Sequence, residues 1–138
     1  MAMNKRVASL TVIVLLFALL AWADKKFSFN NNSNLNPAAA GSVNVGTDRN
    51  GNNSFDVHVY HLSDPGQLTP ARSVYVIWAQ ENGKPAQNLG KLTVNRDLEG
   101  SFHGISPAKH FELFITAEDS DKAETPSNME LLRTKISH

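Results

Sequence analysis

Away from its N-terminus, the chain has its densest apolar stretch at Ser73-Val74-Tyr75-Val76-Ile77-Trp78-Ala79-Gln80, closed by Asn82-Gly83. A run this short, β-branched and aromatic reads as a strand buried on both faces, with a layer packed over each. Other segments alternate instead. Along Ser54 to Leu62, Phe55, Val57, Val59 and His61 fall on one side, and Val43 and Val45 do the same in Ser42 to Val45. Between them Asn50-Gly51 predicts a type I′ hairpin turn. Along His110 to Glu118, Phe111, Leu113, Ile115 and Ala117 share a core face, while His110, Glu112, Phe114 and Thr116 share the opposite one. Asn88 to Asn95 reads as a single strand with Leu92 and Val94 inward, Ser101 to Ile105 as a short strand, and Met129 to Ile136 as the last. Asp64 to Pro70 carries two prolines and Gly66, so it reads as a connection between sheets. About seven strands punctuated by turns predict an all-β, antiparallel, immunoglobulin-like β-sandwich.

The N-terminus follows a different pattern. Lys5 and Arg6 precede an apolar run from Val7 to Leu20, and Ala21-Trp22-Ala23 ends it before Asp24. These are the charged region, apolar region and small-residue cleavage site of a secretory signal peptide. The alternative is a membrane anchor through uncleaved residues 7–22, but that run falls short of the roughly 20 apolar residues a span requires. Residues 24–36 are polar and rich in asparagine, too poor in apolar groups to offset the entropy of ordering, and read as a flexible leader. The expected organisation is therefore a signal peptide (1–23), a leader (24–36) and a β-sandwich domain (37–138).

At 138 residues, the chain has room for one small domain. Thirteen basic residues balance thirteen acidic ones; without Lys5 and Arg6 the exported domain carries a net charge of −2. No basic field exists to recruit nucleic acid. Cysteine is absent, which removes disulfides, thiolate chemistry and a lipidated cysteine at the cleavage site.

Histidine is the residue best suited to metal binding or to titration near neutrality. His58 and His61 stand three apart in one predicted strand and so point to opposite faces. His103 and His110 flank the Ser106-Pro107 turn and converge only if the fold brings them together. The Asp48 to Asn52 cluster lacks the later bidentate acid of a calcium loop. Glu118, Asp119 and Asp121 read as a solvated loop. Ser106-x-x-Lys109 matches a nucleophile motif by count, but that motif opens a helix and here Pro107 intervenes. No catalytic residue, metal or other cofactor is predicted. Trp78 reads as a core plug, leaving Tyr75 and Phe114 as aromatic faces for a sugar or another ligand. The candidate surface-binding residues are thus Tyr75, Phe114, His103 and His110. Asn31-Asn32-Ser33 and Asn52-Asn53-Ser54 fit the glycosylation sequon.

The order Tyr75-Val76-Ile77-Trp78, Asn88-Leu89-Gly90-Lys91-Leu92, Phe111 to Glu118 and Thr125-Pro126-Ser127 resembles the C-terminal extracytoplasmic domain of the anti-sigma-K factor (RskA-like) family. The resemblance spans Tyr75 to Ile136. It implies a β-sandwich outside the cytoplasm; only six residues precede the apolar run, so no counterpart of the family's cytoplasmic sigma-binding segment is expected. The expectation is a non-enzymatic, exported domain acting as a protein-interaction or structural module in the periplasm or outside the cell, with an envelope protein as partner. A sensory component of an anti-sigma or envelope-stress system and a carbohydrate-binding module are the alternatives.

Overall fold

A computed structural model describes residues 24–138; the expected signal peptide and its anchor alternative lie outside the described residues. The chain forms two antiparallel sheets around one core. β1 (Lys25–Ser28), β2 (Ala40–Thr47), β3 (Asn53–Tyr60), β7 (Gly100–Ser106) and β6 (Thr93–Val94) lie in that order in sheet A. β5 (Gln87–Lys91), β4 (Val74–Gln80), β8 (His110–Glu118) and β9 (Glu130–Ser137) make sheet B. The all-β, two-layer expectation holds, with nine strands where the pattern suggested about seven. Among the described residues no helix is long and apolar enough to cross a membrane.

Alternation places the core as the pattern requires. Val43, Val45, Phe55, Val57 and Val59 from sheet A meet Tyr75, Ile77, Leu113, Ile115 and Leu132 from sheet B, all buried in a single cluster. Phe55 packs against Phe102 and Phe111, with ring centroids 6.2 and 5.9 Å apart. At roughly 2 kcal/mol per buried large apolar side chain, this cluster is the main source of stability in a protein without disulfides.

Four expectations are corrected. The Asn-rich leader is not a free tail: β1 pairs with β2 from Lys25↔Val45 to Ser28↔Ser42, and Phe29 enters the core. The turn between β2 and β3 is not type I′, which needs two left-handed residues. Only Gly51 is left-handed there, at φ 79°, while Asp48 Oδ1 accepts from Asn50 N and Asn52 N and closes the loop. His61 does not continue the inward side of β3; it leaves the strand at φ 59° and is exposed. Finally, the stretch predicted as one strand over Asn88 to Asn95 is two. Gly90 adopts φ 126° beside a bulge in the β4–β5 ladder, and the chain turns so that β5 belongs to sheet B and β6 to sheet A. Leu92 sits buried at this corner, its N–H donating to Tyr75 O at 2.9 Å.

Candidate functional site

Sheet B has an outer face, turned away from sheet A, whose composition follows from register. Directly opposed residues share a face, so Trp78↔Phe114↔Arg133 form one row and Gln80↔Glu112↔Lys135 the next, with His110↔Ser137 beyond. The first row is sealed. Val76, Trp78 and Phe114 make a second apolar cluster, packed by Val74, Ala86 and Ala123. The indole and the Phe114 ring stack at 6.3 Å with their planes 13° apart, and the Arg133 guanidinium lies 4.1 Å from the Phe114 centroid. That cation is itself held by Glu130 and Glu112 at 2.6 and 2.7 Å, and the Glu130 hydrogen bond is the first cause of its raised pKa.

A covering loop between β8 and β9 is fastened by polar hooks. Asn88 Nδ2 donates to Asp121 O and Ala123 O, Arg72 pairs with Asp119, and Ser127 N donates to Glu118 Oε2. Glu118 is therefore not a solvated-loop residue. It is buried at the end of β8, accepting from Thr116 Oγ1, which in turn accepts from Trp78 Nε1 at 2.8 Å. This chain of bonds satisfies the indole N–H and the carboxylate together, which a buried polar cluster requires.

Past the loop the second row lies open. Gln80, Glu81, Glu112, His110, Lys135 and Ser137 line a trough of about 580 Å³, walled by the β4–β5 turn. Its chemistry is mixed: an amide, carboxylates, an imidazole, a hydroxyl and an ammonium group.

The sequence-derived candidates are dispersed by this architecture. Phe114 lies on the outer face as the alternation predicts, but Trp78 and Arg133 cover its two sides and it is 2% exposed. Tyr75 points to the core at 1% exposure, its hydroxyl donating to Ser63 O at 2.6 Å. Neither ring offers a sugar platform. His103 and His110 remain exposed but lie in different sheets with different partners, Asp56 at 2.7 Å and Ser137 Oγ at 2.8 Å. Only His110 reaches the trough. Of the two sequon asparagines, Asn31 is engaged through its side chain, Nδ2 donating to Asn36 O and Ala39 O, while Asn52 is half-buried in the β2–β3 turn and bonds Asp48 through its backbone. Sequence reasoning missed Arg133 and Lys135 as features of this face; the two-residue period of β9 held that signal, since it aligns both with Phe114 and Glu112.

Burial, with the Asp64 carboxylate nearby, pushes the Tyr75 phenol up to about 12, an effect tempered by the Asn36 side chain. A folded pKa above the free value of 10.0 means the protonated phenol stabilises the fold fully below pH 10, and that this contribution is lost as pH rises toward 12. Relative to Tyr75→Phe, the wild type should lose on the order of 2 kcal/mol across that interval. Urea unfolding at pH 8, 10 and 11.5 measures it, and parallel alkaline limbs for the two proteins would show that the phenol is free to ionise.

No protein-family model matches the chain, and no curated protein matches it significantly.

Proposed function

We propose that the protein is an exported, non-enzymatic β-sandwich domain of immunoglobulin-like type that acts in the cell envelope as a protein-interaction or structural module. The observation that carries this reading is the division of the outer face of sheet B. One half is closed over Trp78 by a fastened loop, and the other is a broad polar trough that runs out to the longest edge strand, β9. A wide open surface on a rigid two-sheet frame suits contact with another macromolecule better than enclosure of a small one. The sequence pattern of residues 1–23 supports export. The N-terminal segment supports the immunoglobulin-like assignment, since it pairs with β2 in sheet A and then bonds Arg133 in sheet B through Asn30. Within this reading, the resemblance to the RskA-like extracytoplasmic domain points to a sensory role as the narrower form. The sugar-binding alternative loses its support with the burial of Tyr75 and Phe114.

The test is expression of the full chain with a C-terminal tag in its host, followed by intact-mass measurement and crosslinking. The mass should correspond to a chain beginning at Asp24, and one envelope protein should be retained reproducibly. A full-length mass in the cytoplasm, or retention of nothing specific, would count against the proposal.

A further inference from the structure

We infer that the open part of the β9 edge is a strand-addition site for an extended, acidic segment of a partner protein; the inference rests on the interaction reading above and gives it a place. The two sheets have four edge strands, and three of them are short or distorted, as protected edges usually are. β6 has two residues, β1 has four, and β5 is bulged, bent at Gly90 and tied by Asn88 to the covering loop. β9 has eight residues, and its ladder with β8 is regular from Leu132 to Ser137.

Which β9 groups face outward follows from two bonds. In an antiparallel strand, successive residues direct both N–H and C=O alternately to one side and the other. Arg133 bonds outward, N–H to Asn30 O at 3.1 Å and C=O from Asn30 N at 2.8 Å, whereas His138 N bonds inward to Lys109 O. Lys135 and Ser137 therefore direct their backbone groups outward. Asn30 is a rung laid antiparallel on this edge by the chain's own N-terminal segment, whose preceding residues Lys25–Ser28 pair with β2 in sheet A and not with β9, so that among the described residues the outward rungs at Lys135 and Ser137 stay open beside the trough.

Charge selects the occupant. Arg133 is committed to Glu112 and Glu130, while among the described residues Lys135 makes no salt bridge. An added strand places a side chain directly across from Lys135 on the outer face, where an acidic residue is favoured, and its alternate residues extend the inner face beside Ile136.

The probes are two blocked peptides, Val-Asp-Val-Asp-Val and its lysine counterpart, titrated into the 15N-labelled exported protein. Saturable shifts are expected at the Lys135 and Ser137 amides, with the acidic peptide binding about fivefold tighter. Lys135→Pro removes an outward N–H and leaves the β8–β9 ladder bonds in place, so it should abolish the shifts at Ser137. Lys135→Glu, which keeps the backbone intact, should reverse the peptide preference. Absence of saturable shifts at these amides, or an unchanged preference in Lys135→Glu, would overturn the site. Crosslinking separates the two levels. Equal retention of an envelope protein by wild type and Lys135→Glu would leave the interaction reading standing and remove β9 from it, whereas peptide binding without any retained protein would do the reverse.

Discussion

Replacing Trp78 by alanine is expected to lower the unfolding free energy by about 4 kcal/mol, within the range for truncating a buried aromatic side chain. The indole is fully buried although it points away from the central core, so its burial depends on the covering loop and on Phe114. Truncation removes the stacked pair and the transfer free energy of the ring, opens a cavity under Ala86 and Ala123, and takes the donor from Thr116 Oγ1. Trp78→Phe separates these effects. It keeps an aromatic ring for Phe114 and loses the N–H, which should cost about 1.5 kcal/mol. Urea unfolding of both variants at matched slopes measures the difference. A loss under about 1 kcal/mol for Trp78→Ala would mean that the covering loop contributes nothing as a core layer, and the outer face of sheet B would have to be regarded as open along its whole length.

The legible part of this fold is the part where local alternation and tertiary burial agree. Phe55, Val57 and Val59 could be placed from period two alone, and so could Phe111, Leu113 and Ile115, because each strand has one face on the shared core. Tyr75 to Trp78, apolar on both faces, correctly implied a layer on either side of sheet B, although the outer layer is a loop and not a sheet. Where the reading failed, the deciding contact lay far away in sequence. Phe114 was placed on the correct face, but nothing in its own strand indicates that Arg133 and a loop hooked by Asn88 cover it. Glu118 looked like the start of an acidic loop, since its partners Thr116 and Ser127 are recognisable only once β8 has ended and the chain has doubled back. Leu92 and Val94 satisfy alternation, yet the chain changes sheets between them and Gly90; the positive φ at Gly90 is what a glycine within a strand pattern can signal. The histidines show the limit for chemistry, because spacing along the chain left the convergence of His103 and His110 open and the topology places them in separate sheets.

The N-terminal segment offers the other large effect. A flexible leader would make Phe29 irrelevant to stability, but Phe29 is 9% exposed and belongs to the main core, and its N–H donates to Gly41 O at 2.9 Å. Phe29→Ala should therefore cost about 3 kcal/mol, toward the lower end for a buried phenylalanine because the site lies at the rim of the core. The composition of Asp24 to Asn36 hid this, since only Phe27, Phe29 and Leu35 among thirteen residues are large and apolar. Phe27 and Phe29 are held against the core because β2 and β9 supply the backbone partners that an isolated asparagine-rich peptide lacks. Asn32→Ala in the same segment provides the comparison and should change stability by less than about 0.5 kcal/mol. Hydrogen exchange gives an independent measurement: the amides of Phe29 and Arg133, bonded to Gly41 and Asn30, should exchange with protection approaching that of β3, and Phe29→Ala should lower the protection of Arg133 more than that of Val57. Equal exchange at Arg133 in wild type and variant would show that the segment does not hold the two sheets together. A selective loss would identify Phe29 as the anchor that lets Asn30 occupy its rung on β9, leaving Lys135 and Ser137 as the rungs open to a partner.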